Sequence, residues 1–326
     1  MRLADEDDAM LIAALAALAL TAQPVPAAAP PQVDPDTPFQ LNDLEVTGRR
    51  LENLVRDFVV DVGAPVRNRD LARWSRSVCP GTVNLRTAEA QFFIDRIAQT
   101  AMSVGLNPAG PGCDPNVIII FAVDADPVTR AFVAQAPRRF VSGGSGTDRG
   151  RSQLARFQTT DAPVRWWHSS MPVFSDTGER ATRLPGDIIG NGAGVGGQDT
   201  TFAYAPSVRT TVSSRLRSEI VDNLSKVYIV VDAGKLTGTT PDQLADYLSF
   251  LALAQVDPEA ETRGYATILN LFDDPQGTPG LTDLDRAYLN GLYKSERNLG
   301  NAGSQTQEVA NSIVRAHHAI RAAKGE

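Results

Sequence analysis

The chain has 326 residues, 42% of them hydrophobic and 21% charged, with a formal net charge of −7 at pH 7. That length allows one large domain or two small ones, and the ordinary apolar fraction excludes both a disordered chain and a multispan membrane protein. The acidic balance argues against nucleic acid as a partner, which needs a basic face, and three histidines with two cysteines leave little material for a zinc or iron site.

Residues 10–20 read MLIAALAALAL, an apolar run too short to span a bilayer as a helix. A Pro/Ala-rich stretch follows, and Val25 and Ala27 place small residues ahead of a cleavage point. Residues 1–27 are therefore expected to be a secretory signal peptide and 28–43 a flexible leader. Asp5, Glu6, Asp7 and Asp8 stand where such a segment is normally basic, which translation from Met10 would explain. A buried or interfacial hydrophobic helix is the other reading of the apolar run. On the export reading the protein is periplasmic or secreted, with no membrane span in the mature chain. The cleaved segment carries −3, leaving a mild −4 that implies solubility and no specific partner. Arginine outnumbers lysine 27 to 4, a bias of GC-rich bacterial coding. Cys79 and Cys113 are an even pair in such a chain and are expected to form a disulfide, with two separate buried thiols as the alternative.

Residues 44–47 suggest a short strand, and apolar residues at 51, 54, 55, 58, 59 and 62 predict a helix over 51–62. The stretch 71–81 reads as a strand approach closed by a Pro80-Gly81 turn. Thr87 is the expected cap of a helix to about 104. NVIIIFAV at 116–123 predicts a buried strand, and 127–136 a helix. Gly-rich insertions are expected near 141–153 and 185–200, with a strand at 164–170 between them and another at 226–231. Thr240, Pro241 and Gln243 form a capping box with proline at the first helical position, opening a central helix at about 240–256. Thr282 and Asp285 open another helix to about 293, and 305–323 is amphipathic. The mixed order of strands and helices gives an α+β class, a mixed sheet packed on helices. The domain is expected over 44–296, and a C-terminal helical tail over 297–326.

The candidate chemical motifs are weak. Gly192 to Gly197 lack the Lys-Ser/Thr ending of a phosphate loop and have no strand before or helix after them. Gly143 to Thr147 miss the last glycine of a nucleophile elbow. His317 and His318 read as a solvated pair on the tail helix. Asp273, Asp274, Asp283 and Asp285 offer oxygen ligands to calcium without EF-hand spacing, and Asp285 is better explained as a capping residue. His168, after Trp166 and Trp167, reads first as a hydrogen-bonded, partly buried histidine.

The segment 243–293 carries more. It reads QLADYLSFLALAQVDP, then YATILNLF, then LTDLDRAYLNGLY. This resembles the closing half of a metzincin-type zinc protease, matrixins in particular, in which a helix carries H-E-x-x-H-x-L-G-L-x-H. There a Met-bearing turn follows, then a helix of the form L-T-x-x-D with a closing L-Y. Leu251 and Leu253 fit the helix, Leu269 stands for the methionine, and Leu281, Thr282, Asp285, Leu292 and Tyr293 fit the last part. The chemistry does not fit. Ala245, Ser249 and Gln255 occupy the ligand positions, Asp246 the general-base position and Ala252 that of the glycine. Two ligands four apart share a helix face, so both reach one metal. Alanine has no donor, and serine and glutamine are poor zinc ligands. The upstream order of strand, helix and strand over 78–83, 88–104 and 116–123 agrees in outline, and similar exported bacterial domains of unknown function exist. An ordinary buried helix without that ancestry is the alternative. Separately, Glu45 to Arg50 (EVTGRR) resembles the segment after the signal peptide of TonB-dependent receptors, but too few alternating strands follow for a barrel.

The resemblance implies a zincin-like fold whose metal site is gone, with no cofactor. The function it implies is non-catalytic: an exported binding or scaffold protein of the bacterial envelope with a protein or peptide ligand. The alternative is a hydrolase whose rebuilt, non-zinc site in the old cleft uses Asp246, Ser249, Gln255 and His168.

Overall fold

The computed structural model describes residues 47–66, 69–75, 77–140, 150–181, 217–299 and 302–325. The expected signal peptide, the leader, the Gly-rich stretch at 185–200 and most of that at 141–153 lie outside them. The described residues form an α+β fold around one four-stranded sheet, in the order β1-β2-β4-β3. The strands are β1 (Pro80–Val83), β2 (Val117–Ala122), β3 (Val164–Phe174) and β4 (Ile220–Asp232). β1, β2 and β4 run parallel, and β3 closes one edge antiparallel to β4. Seven α-helices accompany them among the described residues: α1 (Thr47–Val62), α2 (Thr87–Ser103), α3 (Ala125–Gln135), α4 (Arg151–Thr159), α5 (Pro241–Leu253), α6 (Asp283–Lys294) and α7 (Ala302–Lys324).

Strand alternation explains the two-sided core. Val117, Ile119, Phe121, Val227, Ile229 and Trp166 face one layer, where Phe58 of α1, Ile97 of α2, and helices α5, α6 and α7 pack. Ile120, Tyr228, Val230 and Trp167 face the other, against Ala125 and Val133 of α3, Phe140, and Phe157 of α4. β2 and β4 are buried on both faces, which is why both read as continuous β-branched runs.

Several expectations change. Pro80 and Gly81 do not form a turn; they begin the edge strand β1, where proline at the first position costs the ladder little. Helix α4 had no apolar periodicity to announce it, because Phe157 is its only fully buried residue. The central helix ends at Leu253 rather than 256, because the chain there takes tertiary partners instead of helical ones. Ala64 N–H donates to Gln255 O (3.1 Å) and Asp257 N–H to Val62 O (2.8 Å). Thr47 to Arg50, the end of the receptor-like segment, are the first turn of α1. His317 is buried and only His318 is exposed, so the pair is not a solvated one.

Cys79 and Cys113 form the disulfide, with a Cα–Cα distance of 6.2 Å. It joins the approach to β1 to the approach to β2. The tail helix α7 belongs to the main core through Val309, Ala310 and Ile313. Its closest approach is at Gly291 of α6, where an added Cβ would stand 2.5 Å from Ile313 N. Gly291→Val is therefore expected to destabilise the protein by about 1–3 kcal/mol through overpacking. Urea unfolding measures this, and unchanged stability would mean that α6 and α7 do not cross so closely.

Candidate functional site

The open side of β3 borders a cleft of about 390 Å³. One wall is α4 and the other is the end of α5 with the segment that follows it to Asp273. The strand itself is the floor. Asp232 N–H donates to Pro163 O (2.8 Å), which sets the phase of the antiparallel ladder. The backbone groups of 165 and 167 then point to β4, and those of Val164 and Trp166 turn toward the cleft. Side chains alternate as well. Trp166 lies on the α5 side with Tyr247, whose ring in turn meets Phe272 edge-on at 4.9 Å. Arg165 and Trp167 lie on the α4 side. Trp167 packs against Phe140 and Phe157, and Arg165 pairs with Asp126 (2.8 Å).

The candidates from the sequence are placed as follows. His168 and Gln255 line the cleft, whereas Asp246 and Ser249 are not among its lining residues. His168 Nε2 lies 2.8 Å from Leu251 O. A carbonyl can only accept, so this nitrogen carries the proton and the ring meets one of the open carbonyls at the C-terminal end of α5. Two more donors do the same work, and a third meets a carbonyl just beyond the helix. Trp74 Nε1 donates to Ala252 O (2.7 Å), the Tyr293 hydroxyl to Leu253 O (2.7 Å) and Trp166 Nε1 to Val256 O (2.9 Å). Gln255 Oε1 accepts from Ala72 N–H (2.9 Å), which ties the chain before β1 to the helix end. Asp246 pairs with Arg96 (3.1 Å) and accepts from Leu281 N–H (3.0 Å). The Ser249 hydroxyl donates to Ala245 O one turn back (2.7 Å). Ala245 itself is fully buried. Among the described residues no three His, Cys, Asp or Glu side chains are grouped to hold a metal ion.

The aspartates weighed for calcium are likewise placed. Asp285 is buried and accepts from the Thr267 hydroxyl (2.6 Å), Ile268 N–H (2.8 Å), and both the N–H (2.9 Å) and hydroxyl (2.8 Å) of Thr282. Burial pushes its carboxyl up to about 6 against the pull of those donors. Asp283 pairs with Lys324 (2.6 Å), and Asp274 accepts from Gly277 N–H (2.9 Å).

Sequence reading missed the α4 wall of the cleft and a charged cluster near the start of β4. There Arg69 grips buried Asp222 through Nε (3.1 Å) and Nη2 (2.9 Å), and Asp70 N–H joins at 3.3 Å. Arg297 donates to Asp222 O (2.5 Å), and Arg73 donates to Ser295 O (2.9 Å). A polar Asp222-Asn223 pair within β4 was the one signal available. The cluster clamps the segments before β1 and after α6 onto the sheet. Burial, then the Asp222 carboxylate, push Asp70 up from 3.8 to about 6. Its contribution to stability is therefore present below the ordinary value and lost as pH rises through about 6. Asp70→Asn is expected to be more stable than the parent at about pH 7.5 and equal to it at about pH 4. Urea unfolding at both pH values checks this, and a destabilised variant at the higher pH would contradict the repulsion between the two carboxyls.

No protein-family model, curated protein or solved structure matches the chain.

Proposed function

We propose that this protein is a non-catalytic binding protein of the bacterial envelope, periplasmic or secreted, that holds an extended peptide segment against the open edge of β3. The observation that carries this reading is the outward phase of the Val164 and Trp166 backbone groups in a cleft of about 390 Å³. An exposed strand edge is a template for a further strand, in which main-chain bonds give affinity and flanking pockets give selectivity. The disulfide supports an oxidising compartment. Among the described residues no helix is long and apolar enough to cross a membrane.

The reading of a zincin-like fold without its metal also stays a proposal. It is supported by a helix at 241–253, buried from Gln243 onward and packed beneath the sheet, preceded by a strand, a helix and a strand. It is supported further by the turn at Ile268–Asn270, which packs against that helix and is pinned by Asp285. The placements of Asp246 and Ser249, each committed to a structural partner outside the cleft, favour the binding reading over a rebuilt hydrolytic site.

The test is amide hydrogen exchange on the full chain with a capped octapeptide of alternating valine and threonine. Slower exchange confined to 162–168 is expected, together with loss of binding when alternate peptide nitrogens are methylated. Binding that ignores methylation, or protection elsewhere, would overturn the edge-strand reading.

A further inference from the structure

The α4 wall of the cleft already holds a carboxylate. Gln153 Nε2 donates to Glu259 Oε2 (2.8 Å) and Arg156 Nη2 pairs with Glu259 Oε1 (2.7 Å). Both residues of α4 line the cleft, and Glu259 stands between Pro258 and Ala260, which line the opposite wall, so this contact joins α4 to that segment. It is a contact of exposed side chains, 50% and 38% accessible for Arg156 and Glu259. Pairs of that kind contribute little and are readily exchanged.

On the same face of β3 two buried donors have no acceptor among the described residues. Arg165 bonds Asp126 through Nη2 and Gln158 O through Nη1, but its Nε is unpartnered. The indole nitrogen of Trp167 is unpartnered as well. Arg165 is 2% exposed and Trp167 4%, and both residues line the cleft. Buried donors left open are uncommon and unfavourable, so an oxygen brought to them gains more than it would at the surface. Two guanidinium groups on this wall favour a charged acceptor over a neutral one, since charge-assisted bonds are the stronger class. The other face of the strand is different in kind, built from Trp166, Tyr247, Leu269 and Phe272.

Resting on the edge-strand reading above, we propose that the bound peptide alternates acidic and apolar residues. Its aspartate or glutamate carboxylate displaces Glu259 from Gln153 and Arg156 and reaches toward Arg165 and Trp167. Its neighbours in sequence turn to the opposite face and pack on Trp166, Tyr247 and Phe272, because successive side chains of a paired strand alternate. Glu259 is then a resident stand-in for the ligand's acid, closing the two walls until the peptide arrives.

Two of the three tryptophans line the cleft, so their fluorescence in the full chain reports occupancy. The probes are a capped heptapeptide of alternating phenylalanine and glutamate and its phenylalanine–glutamine counterpart. The glutamate peptide is expected to bind about tenfold more tightly, the scale of one charge-assisted contact. Glu259→Gln removes the competing carboxylate and is expected to strengthen the glutamate peptide several-fold, more than it strengthens the glutamine peptide. A residue that merely braces the walls would give the opposite sign. Equal affinity of the two peptides for the parent, or weaker glutamate binding in Glu259→Gln, overturns the acid subsite and leaves the edge-strand reading standing. Failure of both peptides to bind overturns the two together.

Discussion

Helix α5 is buried along its whole length from Gln243 to Leu253, and a helix buried on every side must have its polar groups met from within the protein. Its N-terminus manages this with its own residues, Thr240 and Gln243 closing a capping box. Its C-terminus cannot, because Ala254 turns into an extended chain. The open carbonyls there are met by side chains from three separate parts of the sequence. Trp74 comes from before β1, His168 from β3 and Tyr293 from the end of α6, while Trp166 of β3 bonds the Val256 carbonyl just beyond the helix. The helix is thus a knot to which the sheet edge and both flanking segments are tied, and the sheet, α1 and α6 pack around it.

That knot also shapes the cleft. β3 is fixed to the helix end by Trp166 and His168, so its free edge is held open beside α4 instead of folding down onto the core. His168 has a structural reason to sit in the wall. It is spent on a helix carbonyl, as Gln255 is spent on Ala72 N–H. What remains open on the strand among the described residues is the outward backbone of Val164 and Trp166 and, on the α4 face, the unpartnered nitrogens of Arg165 and Trp167. The division of labour follows from the two-residue period of the strand. Even-numbered side chains brace the helix, and odd-numbered ones face α4.

Local signals in the sequence located much of this fold. Thr240-Pro241-Asp242-Gln243 and Thr282 with Asp285 are self-contained capping boxes, and both open helices where expected. NVIIIFAV and KVYIVV are strands because their β-branched residues favour extended backbone and a sheet covered on both faces buries a continuous run. Other features depend on partners distant in the chain. The Pro80-Gly81 pair reads as a turn until β2 is seen beside it, and α4 shows no apolar stripe because it covers only one corner of the second core. The candidate site was legible only in part. Asp246, Ser249 and Gln255 have the spacing of a chemical set, yet each is claimed by a partner that no spacing rule reveals: Arg96 with Leu281, the Ala245 carbonyl, and Ala72. The clamp of Arg69 on Asp222 spans 153 residues, and its one local sign is a polar pair inside β4.

The central claim is that the side-chain donors at the end of α5 hold the fold together. Equilibrium urea unfolding of Tyr293→Phe, set against Tyr265→Phe, tests it most directly. Each change removes one hydroxyl, but Tyr293 serves the buried carbonyl of Leu253, whereas Tyr265 bonds the exposed carboxylate of Asp61. Tyr293→Phe is expected to lose about 1–3 kcal/mol, the cost of a buried acceptor left open. For Tyr265→Phe a change within about 0.5 kcal/mol is expected, as at most surface sites. Equal, small effects for the two variants would contradict the claim.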